Sequence, residues 1–135
     1  MTQHIHDSHD LLEKLGDTNL TLAHSSDDIR DRKVIDSDGE ALGHVSALFI
    51  DRKDRKVRFL QVGAGGFLGM GEREFLVPIE DVSSVSHAEV HINHSRNHVI
   101  AAPPFDPRLT LKYNRDFWYP YYGYYGVTPY WGNAT

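Results

Sequence analysis

The sequence predicts an all-β fold of about five or six short antiparallel strands, a small barrel or sandwich that occupies residues 27–102. Two observations support this prediction. Short apolar runs alternate with turn signals at close intervals, and the connections between the runs are too short to hold crossover helices. The chain has 135 residues, which is enough for one core with additional chain around it.

The predicted strands follow one another in sequence with short turns between them. They lie at residues 32–36, 44–51, 57–62, 74–79, 88–92 and 97–101. Asp38-Gly39 is a strong hairpin signal and places a tight turn after the first strand. Pro78 cannot donate a backbone hydrogen bond, so it indicates a strand end, an edge or a bulge. A turn at Ser95-Arg96 would join the last two strands as a hairpin.

The second strand is apolar on both of its predicted faces. Strict alternation places Val45, Ala47 and Phe49 on one face, whereas Leu48 and Ile50 lie on the other. One face would pack on the barrel core and the other would need a second cover. We expect that cover to be another subunit or a terminal segment of the chain.

The polar, histidine-rich leader comprises residues 1–26. Asp10 and Glu13 have the spacing of a capping box, and Gly16 is typical of a helix end, so the leader contains either one or two helical turns or a disordered segment. Histidines in the leader at His4, His6 and His9 could bind metal non-specifically.

The tail, residues 103–135, begins with two prolines and is crowded with aromatic residues, glycine and proline. We find no regular period in it and predict an irregular segment. Its candidate contact residues are Phe117, Trp118, Tyr121, Tyr122 and Trp131. Such side chains suit a protein interface, a membrane surface or single-stranded nucleic acid, and they could equally pack across the chain's own barrel or a sister subunit.

A glycine-rich loop lies between the third and fourth predicted strands. It does not fit a dinucleotide fingerprint that starts at Gly63 and Gly65, since Leu68 stands where the third glycine is needed. We interpret the loop as a close turn whose apolar residues cover a core or an interface. Phe67, Leu68 and Met70 are therefore candidate contact residues.

The histidines of the last predicted hairpin define an alternative function. Pairing Ile92 with Val99 would place His91 and His98 diagonally on the outer face, close enough to share a metal ion. His87 or Glu89 could supply a third ligand. A metal-binding or pH-sensing domain is therefore kept as a hypothesis, although exposed histidines on a strand are commonly solvated.

The predicted tip between the second and third strands is basic. Its cations are Arg52, Lys53, Arg55, Lys56 and Arg58. They could contact phosphate or an acidic partner, but charged residues are also typical of solvated hairpin tips, where they protect sheet edges from aggregation.

Composition excludes several function classes. There is no cysteine, which removes disulfides and thiolate chemistry. The net charge of −5 disfavours nucleic-acid binding, and no recognisable catalytic signature is present. We find neither a signal peptide nor a transmembrane run, so we expect a cytoplasmic protein. Because no catalytic signature is present, we also expect that the protein is not an enzyme and has no cofactor.

Four segments in order resemble the PRC-barrel family. They are DSDGE at residues 36–40 followed by LGHV at 42–45, FID at 49–51, GGFLGMGER at 65–73 and FLVPIEDV at 75–82. The resemblance does not extend to the leader or the tail. It implies a small barrel without catalytic residues.

The family's barrels generally serve assembly and interaction. In some relatives the barrel is attached to a membrane helix and caps a photosynthetic complex, and in others it forms half of a ribosome-maturation factor. The sequence matches neither arrangement, so the resemblance implies a stand-alone barrel that binds an unknown protein partner. We expect self-association, most simply as a dimer.

Overall fold

The chain folds around a seven-stranded sheet that curls into a half-barrel. The computed structural model describes residues 10–65, 72–110 and 112–132. The strands are β1 (Leu12–Lys14), β2 (Lys33–Ile35), β3 (Ala41–Asp51), β4 (Val57–Ala64), β5 (Arg73–Pro78), β6 (Val82–Val85) and β7 (Glu89–Ile92). Two α-helices, α1 (Arg96–Ile100) and α2 (Arg115–Tyr125), accompany 3₁₀ turns at Ser25–Asp27 and Ile79–Asp81. In these described ranges no helix has the length and apolar character needed to cross a membrane.

The strand order confirms the predicted β fold and corrects one detail of it. The strands run β5-β4-β3-β2-β7-β6, and β1 pairs with β3 on the edge that β2 leaves open. All pairings are antiparallel except that of β2 with β7, which is parallel. The prediction of antiparallel strands alone is therefore wrong at this contact. It could not be read locally, because β2 and β7 are far apart in the sequence and pair only in the tertiary structure.

The central strand β3 is buried on both faces, as its apolar pattern predicts. The side chains of β3 do not alternate strictly between its two faces, because a register shift between Val45 and Ala47 interrupts the period of two. Val45 consequently packs with Leu48 and Ile50 in the inner core, whereas Phe49 packs in a second cluster on the outer side.

The outer cluster supplies the second cover that β3 requires. Its buried members are Leu12, Phe49, Phe59, Leu76, Phe105, Trp118, Tyr121 and Tyr122. The sheet contributes Phe49, Phe59 and Leu76, and both terminal segments of the described chain contribute the rest. The expected cover is therefore a terminal segment, and in fact it comes from both.

The N-terminal segment forms a strand rather than the predicted helical turn. Leu12 pairs with Asp51 and Lys14 with Phe49, which extends the sheet along β3. The Asp10 side chain accepts a hydrogen bond from the backbone N–H of Tyr113 at 2.8 Å instead of capping a helix. A two-turn helix is marginal alone, and the free edge of β3 offers this segment backbone partners.

The predicted hairpin at residues 88–101 is also wrong in its second half. β7 pairs with β6, a strand that we did not predict, and residues after Ser95 form the short helix α1. The Ser95 side chain accepts a hydrogen bond from the backbone N–H of His98, as an N-cap does. The residue that we placed in a turn is therefore a helix start.

The predicted irregular tail contains an eleven-residue helix, α2. Asn114 caps its N-terminus by accepting from the backbone N–H of Phe117, and Gly126 ends it in the left-handed conformation with φ of 70°. The buried residues Trp118, Tyr121, Tyr122 and Tyr125 follow helical spacing. That signal was present in the sequence, but Pro120 and Gly123 within the same stretch obscured it.

Gly43 marks the closest approach between two strands. A Cβ atom at this position would lie 2.0 Å from the backbone oxygen of Gly63 on β4, a distance that real atoms do not tolerate. The glycine of the LGHV segment is thus required by backbone packing between β3 and β4.

Replacement of Trp118 by alanine should strongly destabilise the fold. Trp118 is fully buried in the outer cluster, so we expect Trp118→Ala to lower the free energy of unfolding by about 3–5 kcal/mol in chemical denaturation. The neighbouring Tyr119 is 62% exposed, and Tyr119→Ala should change it by less than about 0.5 kcal/mol. Equal losses for the two variants would contradict this placement of α2.

Candidate functional site

The aromatic residues of the tail lie on the chain's own barrel. The Trp118 ring centroid is 4.5 Å from that of Phe59 and 5.0 Å from that of Phe49, and its Nε1 donates to the Tyr113 backbone oxygen at 2.9 Å. The Tyr122 ring meets Phe59 edge-on at 4.8 Å. These contacts turn the apolar faces of the rings inward.

The other aromatic candidates belong to the same intramolecular contact. Phe117 and Trp131 are partly buried against the outer cluster. The Tyr121 hydroxyl donates to the backbone oxygen of Pro104 at 3.0 Å, and burial raises the pKa of Tyr121 to about 12. The rings of these candidate residues thus have partners within the chain.

The arginines of the basic tip also bind within the chain. Arg58 pairs with Asp51 at 2.7 Å and with Asp54 at 3.2 Å, and its guanidinium lies over the ring of Tyr130 at 4.2 Å. Burial alone would raise the pKa of Asp51, but the backbone N–H of Asp54 and the guanidinium of Arg58 hold it below its usual value.

Two further tip arginines contact the N-terminal segment. Arg52 pairs with Glu13, and Arg55 donates to the Thr21 hydroxyl at 3.2 Å. The tip therefore attaches the N-terminal segment to the sheet.

The three histidines proposed as metal ligands are not brought together. His87 is exposed, and Nε2 of His91 lies 3.0 Å from Glu89. His98 is on α1 rather than on a strand, so its predicted diagonal relation to His91 is wrong. Among residues that the structure describes, no group of three potential ligands is close enough to hold a metal ion.

Several candidate residues fall outside the described ranges. The proposed contact residues of the glycine-rich loop are Phe67, Leu68 and Met70, and the leader histidines are His4, His6 and His9. The structure therefore does not test these predictions.

A partly buried polar cluster that we did not predict joins the barrel to α2. Asp81 is 3% exposed, and its Oδ1 lies 2.5 Å from Nδ1 of His94. The His94 ring stacks on that of His98 at 4.2 Å, and His98 in turn stacks on Tyr124 at 4.4 Å. Burial raises the pKa of Asp81, while burial and the adjacent His94 ring lower the pKa of His98.

We missed this cluster because its members come from separate elements. Asp81 lies in the segment FLVPIEDV, and His94 directly precedes the N-cap Ser95. The one local signal for the cluster was a histidine, His94, directly before the start of a helix.

A second buried carboxylate, Asp36, holds the β2–β3 turn to α1. It accepts hydrogen bonds from the backbone N–H groups of Asp38, Glu40 and Arg96 at 2.8–2.9 Å. Burial would raise the pKa of Asp36, but these donors outweigh burial and lower it. Asp36 is therefore a structural anchor that is occupied on both oxygens.

The fold and these turns agree with a family match. The model of the PRC-barrel domain family matches residues 23–93. The chain belongs to the PRC-barrel domain family. The matched part contains β2 to β7 and stops before α1, so β1, α1 and α2 lie outside it. The sequence matches none of the curated proteins.

Replacement of Asp36 by asparagine should remove an acid-sensitive part of the PRC barrel's stability. Because the pKa of Asp36 is lowered in the fold, its contribution is complete well above the ordinary value of about 3.8 and is lost as the pH falls through that range. We expect Asp36→Asn to lower the free energy of unfolding by about 1–3 kcal/mol at pH 7. The deficit should shrink towards pH 3.

The matched control for this variant is Asp38→Asn. Asp38 occupies the same turn but is exposed, so its replacement should have an effect of less than about 0.5 kcal/mol. Denaturation curves at several pH values would check both variants, and a deficit of Asp36→Asn that is independent of pH would contradict the assignment.

Proposed function

We propose that this PRC-barrel protein is a non-enzymatic interaction module that pairs with a second copy of itself through the surface around Leu109. The single observation behind this proposal is the exposure of Leu109, 76% of whose surface is accessible beside a large cleft. Exposed apolar side chains mark interaction sites where they form a contiguous patch, and other apolar residues line the cleft beside Leu109.

The cleft has a shape and a charge distribution suited to self-pairing. Its volume is about 760 Å³, and it lies between the start of β5 and the segment 104–110. Its charged lining residues are Glu72, Arg73, Glu74, Asp106 and Arg108. Since both signs are present, a two-fold axis through this surface can bring opposite charges of the two copies together.

The apolar lining adds to the same surface. Pro104, Phe105 and Pro107 flank the cleft on the side of Leu109. Interfaces combine an apolar centre with a polar rim, and the lining of this cleft contains both apolar and charged residues.

A non-enzymatic role is supported by how two of the buried acids, Asp36 and Asp51, are used. Asp36 accepts three backbone hydrogen bonds, and Asp51 pairs with Arg58 and accepts from the backbone of Asp54. Carboxylates engaged in this way hold turns together and have little capacity left for proton transfer.

Light scattering of the full chain would test the proposal. We expect the wild type to have the mass of a dimer and Leu109→Asp to have the mass of a monomer, because a buried unpaired charge opposes the contact. Tyr119→Asp is the matched control, since Tyr119 is exposed on α2 away from the cleft and should leave the dimer intact. A monomeric wild type at high concentration, or a dimeric Leu109→Asp variant, would refute the proposal.

A further inference from the structure

The partly buried polar cluster described above holds three separate elements together by ring stacking. Asp81 comes from the 3₁₀ turn after β5, His94 and His98 from the start of α1, and Tyr124 and Tyr125 from the last turn of α2. We call these five residues the histidine clasp. The clasp joins the barrel to the helix that covers the outer cluster.

We propose that the histidine clasp is a pH-sensitive latch, which holds α2 against the barrel at neutral pH and loosens it in mild acid. This inference goes beyond self-association and does not depend on it. The residue that carries the effect is His98, which lies at the centre of the clasp.

The surroundings of the His98 ring favour its neutral form over the protonated form. Its ring is stacked between His94 at 4.2 Å and Tyr124 at 4.4 Å, with interplanar angles of 21° and 28°. Tyr125 meets the same ring edge-on at 5.5 Å. The backbone oxygen of His98 accepts a hydrogen bond from the Tyr124 hydroxyl at 2.7 Å, so helix and ring are fixed to each other directly.

A second proton on His98 would have no suitable place in this arrangement. Nε2 of His98 is buried without a hydrogen-bond partner, whereas an imidazolium must donate from both ring nitrogens. Burying an unpaired cation of this kind is strongly unfavourable.

Some neighbours oppose this effect. The ionisable groups on the elements around His98 are Glu80 and Asp81 of the 3₁₀ turn, Arg96 of α1, Tyr124 and Tyr125 of α2, and Arg73 and Glu74 of β5. Asp81 attracts a proton towards His98, and a hydrogen bond between the His98 ring and the backbone of Tyr124 does the same. Burial and His94 outweigh both, and the net shift of the His98 pKa is downward.

The remaining charges nearby are engaged elsewhere. Glu74 accepts from Ser46 at 2.7 Å and from Gln61 at 2.9 Å, and the guanidinium of Arg73 lies over the Phe75 ring at 5.3 Å. α2 contributes only tyrosine hydroxyls to the clasp, and the Tyr125 hydroxyl is itself buried without a partner. No carboxylate of the described residues reaches Nε2 of His98.

The direction of the pH effect follows from the lowered pKa of His98. With α2 docked, His98 binds fewer protons than it does when exposed, so docking is complete above the ordinary histidine value of about 6.5. It weakens as the pH falls through that value, by up to about tenfold per pH unit for one proton. Asp81 titrates in the opposite sense, because burial raises its pKa, and the loss therefore levels off once Asp81 takes up a proton.

Loosening α2 would uncover an apolar surface. Trp118 and Tyr122 cover Phe49 and Phe59 in the docked state, and both sheet residues are fully buried. The latch would thus make exposure of the outer face of β3 and β4 depend on pH.

Hydrogen exchange of the full-length protein tests the latch locally. We expect the protection factors of amides in α2, corrected for intrinsic exchange, to fall by up to about tenfold between pH 6.5 and pH 5.5. Amides of β3 and β4 should keep their protection over the same range. The chain has two tryptophans, Trp118 in α2 and Trp131, whose ring contacts Tyr122 of α2. Tryptophan fluorescence therefore gives an independent signal of whether α2 is docked.

The variant His98→Phe separates titration from packing. Phenylalanine keeps a ring between His94 and Tyr124, and the Tyr124 hydroxyl still has the backbone oxygen to bind. Its α2 protection should not change between the two pH values. His91→Phe is the matched control, since His91 is half-exposed on β7 outside the clasp, and this variant should retain the wild-type fall.

Three outcomes would overturn the proposal. They are an unchanged α2 protection in the wild type, a fall that persists in His98→Phe, and an equal fall in β3 and β4, which would indicate global unfolding. An NMR titration of the His98 imidazole in the wild type keeps the proposal testable if the variant does not fold. Its midpoint should lie below about 6.5, and a midpoint at or above that value would also refute the latch.

Discussion

The packing of Trp118 against Phe49 and Phe59 is the contact on which the arrangement of both terminal segments depends. β3 is buried on two faces, and the barrel interior accounts for only one of them. Removing the other face from water is worth about 25 cal/mol for each Å² of apolar surface. α2 provides most of that cover, and Leu12 of β1 completes it at one side.

Buried carboxylates give this structure its second set of constraints. Asp36 joins a turn to α1, Asp51 joins the basic tip to Arg58, and Asp81 joins the barrel to His94. Each carboxylate lies where two elements meet and accepts donors from the neighbouring segment. These three carboxylates therefore hold neighbouring segments of the fold together.

In the segments that we predicted wrongly, tertiary contacts favour a different structure from the one that local sequence signals indicate. Residues 12–14 have a helix-like start, but they lie on the open edge of β3, and backbone pairing there outweighs one marginal helical turn. The residues after Ser95 are apolar enough for a strand, yet the N-cap at Ser95 and the burial of Val99 favour α1. α2 differs from both cases. The helical spacing of its buried residues was present in the sequence, and only the helix-breaking residues in the same segment concealed this spacing.

The candidate sites were harder to predict than the strands. The aromatic residues of the tail were recognisable as contact residues from their composition, and the structure places them against their own barrel. The pairing of His91 with His98 failed because it assumed a hairpin register that does not exist. The histidine clasp could not be found in advance, since Asp81, His94 and Tyr124 are far apart in sequence and meet only when α2 docks.

The sequence by itself determined the all-β class, the turn at Asp38-Gly39, a strand end, edge or bulge at Pro78 and the need for a second cover over β3. These features follow from local chemistry. Glycine can adopt a left-handed backbone conformation, proline lacks a backbone hydrogen-bond donor, and apolar side chains are favourably removed from water. Only the tertiary structure decided which segment supplies that cover, that β2 and β7 run parallel, and which histidine lies between aromatic rings. Such choices depend on the free energies of contacts between distant segments, and those contacts exist only in the assembled fold.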